Sequence, residues 1–338
     1  MEQNEYLFNV HSLYNLARYA FLKIESNYAR TVEASGITLP QLRILWIIKV
    51  FPGISLSNIA RIGCWSSPTV SNMIKILMNK SLIFKEETIN KKVYKFQLTE
   101  IGNEFININK QDKHKKFYLF NLIDLFSNSE LDFIIDIFSS IIIKEKKEFI
   151  FEYIEKINEI NLKIDLKDFD TNEVSIIKKI ISIYNLLRTF ILTIKSNHSE
   201  PLKKFNVTYA QLRALWIIAA FPGVTSSEIS KISFWSPSTV HVIVKNLYSK
   251  HFIHKEKALI KNAHFLDISQ QGEILIIEDY NKNQKTLLIF EELKDICLQD
   301  IVKLNDLLAR MNNKLGNYKT EEYIKKTFAI IKNKALVE

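Results

Sequence analysis

The chain repeats itself. Sliding the sequence along itself places Thr38 on Thr208, 170 positions later, and the register holds without a gap to Gly102 and Gly272. TLPQLRILWIIKVFPGISLSNIARI falls on TYAQLRALWIIAAFPGVTSSEISKI, and LIFKEETINK on FIHKEKALIK. Between them, CWSSPTVSNMIKILMNKSLI (64–83) falls on FWSPSTVHVIVKNLYSKHFI (234–253). Upstream, SLYNLAR (12–18) meets SIYNLLR (182–188), and Trp46 and Trp65 meet Trp216 and Trp235. A period of this length is a domain-sized unit, not one turn of a solenoid. The expected layout is a first unit over residues 1–161, a linker over 162–172 within NLKIDLKDFDTNE, and a second unit over 173–338.

At 338 residues, 47% hydrophobic and 25% charged, the chain has material for two packed cores and is not of the disordered class. Its 7 Gly and 6 Pro suit long helices with few turns. The most apolar run, FIIDIFSSIII (133–143), is interrupted by Asp136 and too short to span a bilayer. Cys64 and Cys297 make no disulfide framework and no secretory signal opens the chain, so the expected compartment is the cytoplasm. A formal charge of +9 favours a polyanionic partner.

Each unit opens on an amphipathic helix. Leu7, Val10, Tyr14, Ala17, Phe21 and Ile24 step by three and four along one seam, as do Ile177, Ile180, Tyr184, Leu187, Ile191 and Ile194. Such a narrow seam packs against another helix. The T-x-x-Q pairs Thr38/Gln41 and Thr208/Gln211 are capping boxes for a second helix, which ends at FPG (51–53, 221–223). A short third helix follows. Ser67-Pro68 and Ser236-Pro237 then read as N-cap and first residue of a fourth, with the cap shifted by one between the halves. Val70, Ile74 and Leu77, or Val240, Val244 and Leu247, form its buried stripe. LIFKEETINKKVYKFQLT (82–99) predicts a β-hairpin, and long helical patterns fill 103–161 and 273–335.

Helix, turn, a second helix opened by small polar residues, then a hairpin is a winged helix-turn-helix. With QLRILWII, ISLSNIARI, SPTVSNMIKILMNKSLI and QLTEIG, and their counterparts QLRALWII, VTSSEISKI, SPSTVHVIVKNLYSKHFI and DISQQG, each half resembles the multiple-antibiotic-resistance regulator (MarR) family. The resemblance implies a mainly α fold with small β-wings, duplicated in tandem, each unit carrying dimerisation-type terminal helices. It also implies a single-chain pseudo-dimer, with further pairing of chains open, and a small-molecule effector bound between helices and reading head. Recognition helices would enter successive major grooves of duplex DNA.

The physical case for DNA contact runs beside that likeness. A helix N-terminus offers N–H groups and partial positive charge to phosphate. Small polar residues there (Ser66, Ser67, Thr69; Ser236, Ser238, Thr239) admit the helix to a groove. Ser71, Asn72 and Lys75, or His241, Val242 and Lys245, then face outward, with Asn suited to adenine and Lys to guanine. Lys91 and Lys92 at one wing tip, and Lys261 at the other, would neutralise phosphate. The tips INKK and IKNA lack the Asp and Arg usual in the family, and Val242 stands where Asn72 does. The two halves are therefore expected to read different half-sites.

Other readings carry less. The four Trp read as core. His251, His254 and His264 suggest a metal only if His254 and His264 face each other across the hairpin; no Cys joins them, and no metal or cofactor is expected. Cys64 reads as a small core hydrophobe and KEKK (144–147) as a solvated face. No G-x-G-x-x-G, Walker loop, H-E-x-x-H or G-x-S-x-G is present, so no enzymatic activity is expected. The leading expectation is a transcriptional regulator reading an imperfect palindrome. The alternative is a winged-helix interaction module that has lost DNA binding and acts on another regulator, and thin wings favour it.

Overall fold

The computed structural model describes residues 2–33, 35–87, 94–111, 118–162, 170–197, 202, 204–257, 264–284, 293–317 and 319–334. It is mostly helical with two small antiparallel sheets. By Cα packing the chain forms two compact units, one of residues 24–190 and one of residues 1–23 with 191–338. These units are cut differently from the sequence repeats. The leading part of the first long helix belongs with the later winged helix, and the leading part of the second long helix with the earlier one. The repeat marks where sequence recurs; packing marks which apolar seams meet.

The 24–190 unit takes the end of α1 (Glu2–Glu33), then α2 (Leu39–Val50), β1 (Ile54–Ser55), α3 (Leu56–Gly63), α4 (Ser67–Asn79), β2 (Ile83–Glu87) and β3 (Tyr94–Leu98). After these come α5 (Glu100–Gln111), a 3-10 turn (Tyr118–Leu125), α6 (Asn128–Lys144), α7 (Phe149–Leu162) and most of α8 (Thr171–Asn197). The long pattern over 103–161 is thus broken. Ser127 starts α6 afresh, its side chain accepting from Glu130 N while Glu130 returns a bond to Ser127 N at 2.8 Å. Of the expected linker, residues 163–169 lie outside the described residues. Asp170 and Glu173 reciprocally cap α8, at 2.8 and 2.9 Å.

Helix α2 is the hub, touching α3, α4, α5, α7 and β3. Its capping box forms as expected, with Thr38 N donating to Gln41 Oε1 at 2.9 Å. Ile44, Leu45, Ile47 and Ile48 are buried along it. At its end Gly53 adopts φ 78°, a region open to glycine, and its N–H reaches Phe96 O at 3.0 Å, tying the FPG turn to the sheet. The sheet order is β1-β3-β2, with Ile54 opposite Phe96 and Ile83 opposite Leu98. Gly102 is required where α5 passes the residue before β2. A Cβ there would lie 2.0 Å from Leu82 O.

The other unit carries α9 (Tyr209–Ala220), β4 (Val224–Thr225), α10 (Ser226–Ser233), α11 (Pro237–Ser249), β5 (Ile253–Lys257) and β6 (His264–Ile268). Helices α12 (Gln270–Gln284), α13 (Leu298–Lys314) and α14 (Thr320–Lys334) complete it. Its sheet order is β4-β6-β5, its hub α9 touches α10, α11, α12, α14 and β6, and its capping box joins Thr208 and Gln211. The leading part of α1 packs here. Asn312 Nδ2 donates to Leu16 O at 2.9 Å and Asn305 Nδ2 to Asn9 O at 2.9 Å. Along the two seams, Val10, Ala17, Phe21, Ile24 and all six residues from Ile177 to Ile194 are buried, while Leu7 and Tyr14 are half-buried.

Several expectations change. The recognition-type helices start in register, with Ser66 and Ser236 both as N-caps, so no shift exists between them. Pro68 sits at the second helical position and Pro237 at the first, and both lie in the turn where a missing N–H costs nothing. All four Trp are half-buried, not core, and the Trp65 and Trp235 rings each cover an arginine. Cys64 is likewise half-buried. It caps α3 at φ 51°, as Phe234 caps α10 at φ 60°, so its backbone, not its apolar side chain, defines its place. His254 stands opposite Asp267 and His264 opposite Lys257, so the two imidazoles are not cross-strand partners. Among the described residues no group of three metal-binding side chains gathers, and no helix is long and apolar enough to cross a membrane.

Candidate functional site

Two structures converge at the start of each recognition-type helix: its polar outer face, and a buried arginine cluster behind it. On the outer face, Ser66 Oγ pairs with Thr69 Oγ1 at 2.8 Å and caps Thr69 N at 3.4 Å. Ser236 repeats this with Thr239 at 2.8 and 3.2 Å, and Ser238 Oγ joins at 2.9 Å. Ser66, Ser67, Thr69, Ser236, Ser238 and Thr239 are all exposed. Val70, Ile74 and Leu77 lie buried beneath, as do Val240, Val244 and Leu247. Each contributes about 1.5–3 kcal/mol of apolar burial, which fixes the helix by its inner stripe.

That anchoring leaves Asn72 and Lys75 exposed on one helix and His241, Val242 and Lys245 on the other. Ser71 is half-buried, turned partly toward the stripe. The outer faces differ in polarity. Val242 is 55% and Tyr248 51% exposed on α11, against Ile76 at 43% on α4. Lys91, Lys92 and Lys261 lie outside the described residues. The hairpins add cations that the sequence reading passed over. Lys85 lies 4.5 Å from the Tyr94 ring centre within its hairpin, and Lys255 4.6 Å from that of Tyr248 on α11.

Behind α4, Arg43 projects from the hub with Glu25 against it, Nη2 to Oε1 at 2.6 Å. The Tyr184 hydroxyl hydrogen-bonds both groups. Arg188 donates from Nη2 to Gly63 O at 2.6 Å and lies 5.3 Å from the Trp65 ring centre. Gly63 ends α3, three residues before the Ser66 cap, so Arg188 ties helix α8 directly to the entry of α4. Burial alone would raise the Glu25 carboxyl. Arg43, then Arg188, and hydrogen bonds from Arg43 and Tyr184 outweigh it and hold the group below the usual value.

The other unit places Arg18 and Arg213 at the corresponding positions. Arg18 lies 5.3, 5.2 and 5.5 Å from the Tyr14, Tyr19 and Tyr323 rings. Arg213 lies 4.7 Å from that of Trp235. The Trp therefore covers a different arginine in each unit, and the residue two positions before it differs as well. A Cβ on Gly63 would sit 2.0 Å from the Trp65 ring, and its counterpart is Ser233. Ser233 Oγ donates to Ile229 O at 2.6 Å and accepts from Trp235 N at 3.3 Å. The Trp65 ring packs where a side chain on Gly63 would stand, while Ser233 carries a side chain at that place.

These arginines were missed by the sequence reading, although a signal existed. Arg18/Arg188 and Arg43/Arg213 are charges set inside apolar runs, each recurring at the repeat offset. A charge kept twice in a helix seam is buried with a purpose.

Residues 37–88, from the α2 cap to just past β2, match the family model described as MarR family. No curated protein matches the chain. Among solved structures, the transcriptional regulator SlyA is similar at 19% identity and a TM-score of 0.34, covering 39% of this chain and 89% of that one. Wild-type MarR in its apo form from E. coli is similar at 17% identity and a TM-score of 0.31, covering 35% and 86%. The reduced form of MarR from E. coli gives 18% and 0.30 over the same shares.

Proposed function

We propose that the chain is a cytoplasmic transcriptional regulator that binds double-stranded DNA through two non-identical winged helices, and that it has no enzymatic activity. The carrying observation is the pair of helices α4 and α11, each opening on an exposed Ser/Thr cluster and each showing a lysine, Lys75 or Lys245, on its outer face. Both are set by a buried inner stripe, which leaves the outer face free to enter a major groove. The MarR match over residues 37–88 supports this for the first helix, and the offset of 170 extends it to the second.

In this reading the gene has duplicated, residues 1–161 and 173–338 descend from one ancestral unit, and one chain does the work of a dimer. Its operator is an imperfect palindrome with half-site centres about 34–36 Å apart. A small-molecule effector tunes binding, and chains can pair further. Anisotropy titration of the full chain against selected duplexes at several salt concentrations tests it. The expected result is a steep fall of affinity with salt, and weaker binding in both Lys75→Ala and Lys245→Ala. No duplex binding at low salt overturns it.

The exposed Val242 and Tyr248 favour a second reading, an interaction module docked on another regulator through α11. Loss in Lys75→Ala but not in Lys245→Ala assigns that role to the second helix.

A further inference from the structure

The outer faces of α4 and α11 differ by an exchange of two side chains. On α4 the exposed run is Asn72, Lys75 and Ile76; at the same positions α11 exposes Val242, Lys245 and Asn246. The lysine is common to both. Around it the asparagine and the branched aliphatic side chain have traded places. The amide stands four residues before the aliphatic side chain on α4 and four residues after it on α11. Both helices start in register from Ser66 and Ser236, so the exchange is not a slip of one helix along its axis. Residues spaced by three and four share one helix face, so each trio is a single outward patch. A lone exposed aliphatic side chain needs no explanation. Here Ile76 is 43% and Val242 55% exposed, and each is answered by an asparagine at its place on the other helix.

The two exchanged side chains match two different base edges of the major groove. An amide accepts from adenine N6 and donates to adenine N7, whereas an apolar side chain meets the C5 methyl of thymine. Four residues rise about 6 Å along a helix, close to two base steps of ~3.4 Å. We propose, resting on the DNA-binding reading above, that the two heads read an adenine and a thymine methyl in opposite order within their own half-sites. On α4 Asn72 takes the adenine and Ile76 the methyl. On α11 Val242 takes the methyl and Asn246 the adenine. Lys75 or Lys245 turns to a guanine between them. Each half-site then depends on one pyrimidine methyl group as well as on hydrogen bonds. The order of the two contacts, not only their kind, distinguishes the heads, so exchanging two residues converts one head into the other.

Anisotropy titration of the full chain against a duplex selected from random sequences tests it, with each thymidine replaced in turn by deoxyuridine. That replacement removes the C5 methyl and leaves base pairing intact. One position in each half-site should weaken binding roughly fourfold, the worth of one buried methyl group. The loss should vanish in the first half-site for Ile76→Ala and in the second for Val242→Ala. Both side chains are exposed, so the fold tolerates their truncation. The double variant Val242→Asn with Asn246→Ile should select sites whose half-sites mirror one another. Affinity indifferent to every methyl, or a loss undiminished in the alanine variants, would overturn the inference and leave DNA binding standing. So would mirrored half-sites selected by the wild type. No duplex binding at low salt overturns both the inference and the proposed function.

Discussion

Arg43 Nη2 and Glu25 Oε1 lie 2.6 Å apart, and the residues 170 positions further on are Arg213 and Lys195. A single exchange of charge thus leaves two cations at the positions that hold an ion pair in the other unit. Both side chains of the closed pair are largely shielded, 10% and 22% exposed. Removing one partner then leaves a shielded charge without compensation, which costs more than the pair itself contributes.

Glu25→Ala is accordingly expected to lose about 2–4 kcal/mol, below the range for a fully buried pair because Glu25 retains some contact with water. Urea unfolding measures it. A loss under about 0.5 kcal/mol, the scale of an exposed pair, would mean that water screens the contact fully.

The same pair sets a pH dependence. Glu25 is held below its ordinary value of 4.5, so the folded chain binds fewer protons there than the unfolded one. Its contribution is complete well above pH 4.5 and is lost as pH falls through that value toward the lower folded one. Unfolding free energy followed from neutral to acid pH should fall less steeply in Glu25→Gln than in wild type. Identical slopes would remove Glu25 from the account.

Gly63→Ser should displace the Trp65 ring from Arg188, since no Cβ fits 2.0 Å from that ring. The expected cost is about 1–3 kcal/mol, as for other overpacked sites. Acrylamide quenching of tryptophan emission should rise with it. Unchanged quenching would show that the glycine is not what seats the ring.

Val242→Asn gives α11 the outward amide that α4 has in Asn72. Sites selected by the variant should become more symmetric than those selected by wild type, with adenine gained in the second half-site. Selection from random duplexes reads this. An unchanged preference would mean that α11 does not contact bases.

Much of the fold was legible because its signals are local. A T-x-x-Q box needs only four residues, the FPG turn only a proline and a glycine with positive φ, and the inner stripe of α4 only a helical period. The N-cap was misplaced by one residue because Ser66 and Ser67 are chemically alike, and only backbone geometry separates them. Size alone points Trp65 and Trp235 to the core, while their rings lie against Arg188 and Arg213, contacts that no local pattern reveals.

The sequence by itself determined the repeat, the order of elements and the polar outer faces of α4 and α11, since these follow from residue spacing. Only tertiary structure decided that α1 divides between the two compact units, and that Glu25 meets Arg43. Charges in an apolar seam announce that they are buried, but not which charges answer them. Partners 18 and 141 residues apart, as Glu25 and Tyr184 are from Arg43, are selected by packing and not by period.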